Sequence, residues 1–206
     1  MKLLTTLTTV SLCAQPILAQ EQKPQKPNVV IIYADDVGWG DVGAYGAKLI
    51  PTPNLDKLAS EGLVFTDGHC SAATCTPSRF SLLTGIHGFR HNVHVLPPNA
   101  PMKIKPHMFT MPQMFKKAGY ETAVIGKWHL YSDPVGFDHW EVIDNMFEQG
   151  TYYNPAFRSP AGVEETTGYV ADLVTDKSIA WLEQARQEGR PFFLLYNHKT
   201  PHRDWL

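Results

Sequence analysis

Apolar residues in this chain follow two patterns, continuous runs and stretches with helical spacing. The continuous runs, many of them β-branched, predict buried strands at 28–33, 121–125 and 191–196, and a further short strand at 63–65. Helical spacing, or proline in a first turn, together with a glycine close to each end predicts helices at 52–60, 78–84, 111–118 and 167–188. Because strands alternate with helices, the pattern predicts an α/β fold with helices on both faces of the sheet.

The segment 1–20 has the features of a secretory signal peptide. Lys2 gives a positive start, a mostly apolar stretch follows, and Ala19 is a small residue suited to cleavage. The stretch is too short to span a membrane; a frayed N-terminus is the alternative. Proline and glutamine in 21–27 predict a linker, so the folded region is expected to span 28–206. We therefore predict an exported protein, periplasmic or extracellular, without a membrane span.

Composition and charge narrow the range of partners. The 206 residues suffice for one domain with a real core, and the formal net charge of −2 argues against nucleic acid as a partner. No Asp or Glu occurs from Gly68 to Tyr120. We hypothesise that cationic side chains of this stretch line the approach of an anionic substrate, namely Arg90, His91, His94, Lys103 and Lys105. The alternative is that acidic residues from elsewhere cover the stretch.

Polar clusters follow three predicted strands, and ligands of open α/β sheets bind at the carboxyl ends of strands. Asp35 and Asp36 follow the first strand. Two adjacent carboxylates repel unless a cation lies between them, and their oxygens suit Ca²⁺ or Mg²⁺. The pair therefore predicts a metal site, with a solvated turn before Gly38 as the alternative.

Two further clusters follow later strands. Lys127 and His129 are two residues apart, so in an extended segment they face the same way. The alternative is a surface lysine and a core histidine. His198 and His202 follow the last predicted strand, and we interpret His198 as a packed side chain.

The stretch CSAATCTPSRF, residues 70–80, places a cysteine at a helix start. Pro77 fits a first helical turn, so Cys75 lies at or just before an N-terminus that favours an anion. Arg79, one turn on, is expected to reach back toward residue 75. Cys75 is then half of a disulfide, a thiolate, a metal ligand, or a residue that does not stay a thiol. A disulfide with Cys70 would close a very small loop and add little stability, so Cys70 is interpreted as a buried free thiol.

At this point the chain resembles the sulfatase family. Residues 75–79, CTPSR, match its C-x-P-S-R signature, whose cysteine a maturation enzyme oxidises to Cα-formylglycine. Other blocks resemble the family in the right order: NVVIIYADDVGWGDVGAY, TPNLDKLASEGLVF, GYETAVIGKWH, GYVADLVTDKSIAW and PFFLLYNHKTPH. The resemblance implies an alkaline-phosphatase-like α/β/α sandwich with a mostly parallel central sheet.

The resemblance also implies roles at the metal and the nucleophile. Asp35, Asp36 and the formylglycine made from Cys75 would bind one divalent cation, Ca²⁺ more readily than Mg²⁺. Arg79 would hold the formylglycine. An aldehyde hydrate carries two hydroxyls on one carbon: one attacks sulfur, and the other, once deprotonated, re-forms the carbonyl and expels sulfate.

The remaining matches concern the substrate. Lys127 and His129 would contact sulfate and the nucleophile, and His202 would bind sulfate and assist the leaving group. Arg90 and His94 are the substrate-binding candidates that come from charge alone. The resemblance thus implies a sulfuric ester hydrolase acting on a sulfated small molecule or polysaccharide, and a maturation enzyme as a partner.

Two features of the family pattern are missing. The later metal ligands and a second lysine have no match before Leu206, so we expect the N-terminal part of a longer catalytic domain. Three alternatives stay open. They are a phosphonate monoester or phosphodiester hydrolase with the same aldehyde, a non-catalytic fragment that binds metal or glycan, and an unmodified thiolate at Cys75.

Overall fold

A computed structural model describes residues 26–94, 101–144 and 150–203 of the chain. Its strands are β1 (Val29–Asp35), β2 (Glu121–Gly126), β3 (His139–Ile143), β4 (Ala156–Ser159), β5 (Gly162–Glu165) and β6 (Phe192–Pro201). Its α-helices are α1 (Pro53–Glu61), α2 (Cys75–Thr84), α3 (Met111–Lys117) and α4 (Val170–Glu188). Short 3₁₀ turns lie at Trp39–Asp41, Gly43–Tyr45 and Gly88–His91. The predicted signal peptide and most of the predicted linker lie outside the described residues.

The strands form one six-stranded sheet in the order β1-β6-β2-β3-β4-β5. β1, β6, β2 and β3 run parallel, and β4 and β5 add an antiparallel hairpin at the far edge. In the register, Asp35 lies opposite Pro201 and Gly126 lies opposite Asn197. The carboxyl ends of β1, β2 and β6 therefore meet at the same edge.

Each face of the sheet carries its own apolar core. On one face, Phe80 and Leu83 of α2 pack with Val124 and Phe193 of the sheet. On the other face, Val174 and Trp181 of α4 pack with strand residues such as Ile125 and Leu194. Alternate strand residues point to opposite faces, which is why Phe193 and Leu194 join different cores. The predicted α/β fold with helices on both faces is confirmed.

Not every predicted element is present. The strand predicted at 63–65 is wrong, because this segment is irregular and Leu63 is 90% exposed. An apolar run forms a strand only where another strand pairs with it, and no described strand borders 63–65. The sequence pattern did not predict β3, β4 and β5, whose short spans mix apolar and charged residues. No α-helix in the described part of the chain is both long and apolar enough to cross a bilayer.

Glu141 links β3 to α4 and gives the fold a testable pH dependence. Its carboxylate bonds to His139 at 3.1 Å and accepts a bond from Lys177 of α4 at 2.7 Å. The bond with His139, and then the ammonium of Lys177, lower the pKa of Glu141 to about 2 from an ordinary value of 4.5. A lowered folded-state pKa stabilises the fold above the ordinary value and loses that contribution as pH falls.

We expect Glu141→Gln to lower the unfolding free energy by about 1 kcal/mol at pH 7, because a partly exposed pair is screened by water. The difference from the unchanged protein should disappear as pH falls from 4.5 toward about 2. Urea unfolding at several pH values measures it. A destabilisation that does not change with pH would contradict the role of this carboxylate.

Candidate active site

The carboxyl edge of the parallel strands holds a buried cluster of charged groups. Asp35, the last residue of β1, is 4% exposed, and Lys127 just after β2 is fully buried. The ammonium of Lys127 donates to Oδ2 of Asp35. Arg79 of α2 approaches Oδ1 of the same carboxylate at 3.6 Å and donates from Nη1 to the Lys127 carbonyl oxygen at 2.8 Å. One buried carboxylate therefore faces two buried cations.

Cys75 lies beside this cluster as the first residue of α2. Its side chain is half-buried, and its Sγ lies 2.9 Å from Nδ1 of His129. The Thr76 hydroxyl donates to the His129 carbonyl oxygen at 3.2 Å and ties the helix start to the His129 segment. The predicted helix N-terminus at Cys75 is confirmed, and the free backbone N–H groups there favour an anion.

Arg79 does not make the contact expected from sequence. The sequence predicts that it reaches back toward residue 75, whereas its side chain contacts Asp35 and the Lys127 carbonyl oxygen. Its Nε and Nη2 atoms are buried without a hydrogen-bond acceptor among the described residues. The guanidinium also lies over the ring of Tyr33, 5.2 Å from its centroid. Sequence reasoning missed Tyr33, although it lies two residues before Asp35 and therefore on the same face of β1.

Burial and neighbouring charges shift the pKa values of two groups in this cluster. Burial, and then the positive charges of Lys127 and Arg79, lower the pKa of His129 to about 3, so its imidazole is neutral at neutral pH. Burial also lowers the pKa of Lys127, against the opposing effect of Asp35. The region between Cys75 and Arg79 is thus electropositive without a charge on His129.

Lys127 and His129 converge on the cluster by a route that the sequence did not predict. The segment after β2 is not extended, because His129 has a left-handed backbone with φ of 53°. Nε2 of His129 lies 2.7 Å from the hydroxyl of Tyr131, which also has a left-handed φ of 52°. Sequence reasoning missed Tyr131, since no periodic pattern indicates two left-handed residues in one turn.

Asp36 and His202 form the rim of the site. Asp36 has a left-handed φ of 68° and a side chain that is 57% exposed, and its Oδ2 lies 3.8 Å from Nε2 of His202. His202 is 9% exposed, and its carbonyl oxygen accepts a bond from Tyr152. Lys199 of β6, three residues earlier in the chain, is buried, and its ammonium lies 4.6 Å from the centroid of the Tyr152 ring. These contacts hold His202 next to the end of β1.

The oxygen donors fit part of a metal site. In the ranges 26–94, 101–144 and 150–203, no group of three or more His, Cys, Asp or Glu side chains is arranged to hold a metal ion. Asp35 and Asp36 nevertheless offer the carboxylate oxygens that Ca²⁺ prefers, and Ca²⁺ takes about six to eight oxygen ligands. The two residues therefore offer oxygens of the kind that such a cation binds, without forming a complete ligand set among the described residues.

Other residues singled out from sequence lie apart from these contacts. Cys70 is an exposed free thiol, so the prediction of a buried thiol is wrong. Every residue of the segment 61–71, which carries Cys70, is exposed. His198 is half-buried, bonds to the Thr200 backbone at 3.2 Å and packs on Tyr196, as expected of a packed side chain.

The cationic side chains of the predicted substrate approach have mixed exposure. Arg90, His94 and Lys105 are exposed, whereas Lys103 is half-buried. Val93 and Ile104, which are their neighbours in sequence, both pack in the core that contains Phe80 of α2. Their role in binding an anion stays a prediction.

Comparison with known proteins gives a consistent result. The Sulfatase family model matches residues 27–205. The chain belongs to the sulfatase family. An N-acetylglucosamine-6-O-sulfatase of Bacteroides thetaiotaomicron is 39% identical to this sulfatase chain over 210 residues, which cover 99% of the chain and 36% of the relative. Rat arylsulfatase G is 34% identical over 217 residues, which cover 86% of the chain and 41% of the relative.

Solved structures agree with this assignment. The structure of BT4656 in complex with its substrate D-glucosamine-2-N,6-O-disulfate has a TM-score of 0.80 and 38% identity, and covers 88% of this sulfatase chain and 36% of that chain. The structure of Ps i-CgsB in complex with k-i-k-neocarrahexaose has a TM-score of 0.79 and 26% identity, and covers 87% and 46%. The sulfatase chain thus has the alkaline-phosphatase-like fold and spans a little over a third of the length of its first curated relative.

Asp35 supplies the negative charge that compensates the buried cations Lys127 and Arg79 in this sulfatase. We expect Asp35→Asn to lower the unfolding free energy by about 3 kcal/mol, because two cations then stay buried without their carboxylate. Urea unfolding in the presence of a chelator measures the effect on the protein alone. Asp36→Asn is the matched control, since Asp36 is exposed and Asn tolerates a left-handed φ; we expect a change below about 0.5 kcal/mol. Equal effects of the two variants would contradict the predicted pairing.

Proposed function

We propose that this chain carries part of the active site of a hydrolase that cleaves a sulfate ester through a formylglycine made from Cys75. One observation carries the proposal: Cys75 begins α2, within 2.9 Å of His129 Nδ1, beside buried Arg79 and Lys127. Its Sγ marks the position that an oxygen of the hydrated aldehyde takes after oxidation. A cation-lined helix N-terminus is suited to a sulfate oxyanion.

Asp35, Asp36 and residue 75 are the proposed ligands of one divalent cation, Ca²⁺ in preference to Mg²⁺. When bound, such a cation acts as a Lewis acid that stabilises negative charge on the nucleophile and on sulfate. The C-x-P-S-R signature supports formylglycine at position 75, which would supply a nucleophilic hydroxyl and a second hydroxyl for release of the product. A formylglycine-generating maturation enzyme is therefore a proposed partner.

Arg79 and Lys127 have distinct tasks in the proposed site. Nε and Nη2 of Arg79 lack acceptors among the described residues, and they are available to bond to oxygens on residue 75 or on sulfate. The ammonium of Lys127 is held by Asp35 and keeps positive charge beside the sulfate position without exposure to water. Fixed cations in a dry site stabilise developing negative charge more strongly than water does.

His129 and His202 are the proposed proton carriers. Nδ1 of His129 faces residue 75 and is placed to accept the proton of a hydroxyl there. His202 lies beside Asp36 at the rim of the site, and we assign it the protonation of the departing alcohol oxygen. One histidine thus serves the nucleophile and the other serves the leaving group.

The proposed substrate is a 6-O-sulfated amino sugar within a sulfated carbohydrate. Support comes from the curated relative named N-acetylglucosamine-6-O-sulfatase and from BT4656, whose substrate is D-glucosamine-2-N,6-O-disulfate. Arg90 and His94 are proposed to attract further anionic groups of such a substrate, because both are exposed. The signal-peptide features of residues 1–20 support export to the periplasm or the cell exterior, where the enzyme would have access to such carbohydrates.

The test uses the complete gene product, produced with a formylglycine-generating enzyme. We expect sulfate release from N-acetylglucosamine-6-sulfate, a lower rate on N-acetylgalactosamine-6-sulfate, and little turnover of a phosphonate monoester. Chelation should abolish sulfate release and Ca²⁺ should restore it. Faster turnover of the phosphonate ester, or full activity after chelation, would contradict the proposal.

A further inference from the structure

Tyr131 makes a contact that the proposed function leaves unexplained. Its hydroxyl lies 2.7 Å from Nε2 of His129, and the two rings meet edge to face with centroids 5.1 Å apart. On the other side of the same imidazole, Nδ1 lies 2.9 Å from Sγ of Cys75. Among the described residues, His129 Nε2 is the hydrogen-bond partner of the Tyr131 hydroxyl. The imidazole of His129 therefore links the Tyr131 hydroxyl to residue 75 in one hydrogen-bonded series.

The tautomer of His129 decides which atoms donate and which accept in this hydrogen-bonded series. A neutral imidazole has one nitrogen that donates and one that accepts. If Nε2 carries the hydrogen and donates it to the Tyr131 oxygen, the lone pair of Nδ1 faces residue 75. If instead the phenol donates to Nε2, Nδ1 carries the hydrogen and cannot accept a proton from residue 75. A partner on Nε2 therefore controls what Nδ1 can do.

The backbone of the turn shows that the contact is held in place. His129 and Tyr131 both have left-handed φ values, 53° and 52°, which are costly for residues with a Cβ. Thr76 holds the His129 carbonyl, and His129 itself is fully buried. Surrounding contacts thus maintain a conformation that glycine would adopt more easily, and this conformation aims the Tyr131 hydroxyl at Nε2.

We propose that Tyr131 is a positioning residue: it accepts the Nε2 hydrogen of His129 and so holds the Nδ1 lone pair toward residue 75. The proton of a hydroxyl on residue 75 then passes to Nδ1, and the imidazolium keeps its Nε2 hydrogen bonded to the Tyr131 oxygen. The electron pair left on the residue-75 oxygen re-forms the carbonyl as the bond from the same carbon to the sulfate oxygen breaks, and sulfate leaves with that bond's electron pair. This inference rests on the proposed function, because only that reaction needs a base at this position.

The test compares Tyr131→Phe with Tyr120→Phe in the complete, matured gene product. Phe keeps the ring that packs against His129 and removes only the hydroxyl. Tyr120 is the matched control, since its ring also meets a neighbour edge-on, Phe115 at 5.1 Å, but at the opposite end of β2. We expect Tyr131→Phe to lower kcat for a sulfate ester about tenfold with KM within about twofold. Tyr120→Phe should leave both values unchanged.

A second readout follows the imidazole directly. Histidine-selective ¹⁵N labelling of the same protein reports the tautomer of His129, whose signals are identified by their loss in His129→Gln. We expect the Nε2–H tautomer in the unchanged protein and in Tyr120→Phe, and a mixture of tautomers in Tyr131→Phe.

The two readouts together separate the outcomes. A tautomer change with a lower kcat supports the proposal. A lower kcat with an unchanged tautomer means a structural effect and overturns it, as does a tautomer change without loss of kcat. If the unchanged protein hydrolyses no sulfate ester but the tautomer still depends on Tyr131, the positioning contact stands and the proposed function fails.

Discussion

Replacing Cys75 by alanine is expected to lower kcat for a sulfate ester by about 10⁴-fold or more, the size of effect seen when a covalent nucleophile is removed. Alanine cannot be oxidised to an aldehyde, so both the proposed nucleophile and a proposed metal ligand would be lost. The fold should persist, because Cys75 is half-buried and, among the described residues, its Sγ bonds to His129 alone. Sulfate release by the matured, complete gene product measures the effect, and circular dichroism checks the fold.

Cys70→Ala is the matched control for this prediction. Cys70 is also a free thiol and lies five residues earlier, but it is exposed and outside the buried cluster. Its loss should change kcat by less than about twofold, as for most surface substitutions. Comparable losses in the two variants would mean that Cys75 has no special chemistry, and retention of activity in Cys75→Ala would refute a covalent role.

Replacing Gly126 by alanine is expected to lower the unfolding free energy by about 4 kcal/mol or more, through overlap and backbone strain. Gly126 ends β2 with φ of 104°, and a Cβ there would lie 2.0 Å from the Asn197 carbonyl oxygen and 3.0 Å from Val174 Cγ1. The same carbonyl accepts the backbone hydrogen bond of Lys127 at 2.8 Å. Moving Asn197 would therefore also displace Lys127 from Asp35, so activity should fall with stability.

Gly189→Ala separates the energetic cost of backbone strain from the cost of steric overlap. Gly189 follows α4 with φ of 67°, but a Cβ there would meet no atom within 4 Å. We expect a loss of only about 1 kcal/mol at this site, the ordinary cost of alanine in a left-handed conformation. Urea unfolding of both variants measures the difference. Similar losses at the two positions would contradict the close approach of β2 and β6 at Gly126.

The carboxyl edge was predictable because three strands are continuous apolar runs that each end in polar residues. Burial on both faces explains the runs of β2 and β6, whereas β1 lies at the edge of the described sheet with Val30 and Ile32 exposed, so its predicted burial holds only in part. Parallel strands bring their carboxyl ends together. Which side chains pair with one another at that edge was not predictable. β6 lies between β1 and β2, so the pairing of Lys127 with Asp35 depends on a strand order that no local pattern contains.

The elements that the sequence did not predict correctly were missed for a different reason. β4 and β5 have four residues each, and they depend on pairing with each other and with β3, not on an apolar run. The segment 63–65 has the apolar composition of a strand without a paired neighbour in the described sheet. Tyr131 reaches His129 only because two residues adopt left-handed backbones, a tertiary effect. Sequence thus predicted the strands that are continuous apolar runs, including β1, whose Val30 and Ile32 are exposed. It missed the short strands that depend on pairing with a neighbour.

The oxidation state of residue 75 decides whether the buried cluster is a sulfatase site. Peptide mass spectrometry of the complete gene product, made together with a formylglycine-generating enzyme, measures that state directly. We predict that the peptide containing residue 75 is lighter by the difference between a CH₂–SH group and an aldehyde, while Cys70 remains a thiol. A fully retained thiol at Cys75 in protein that still releases sulfate would contradict the account.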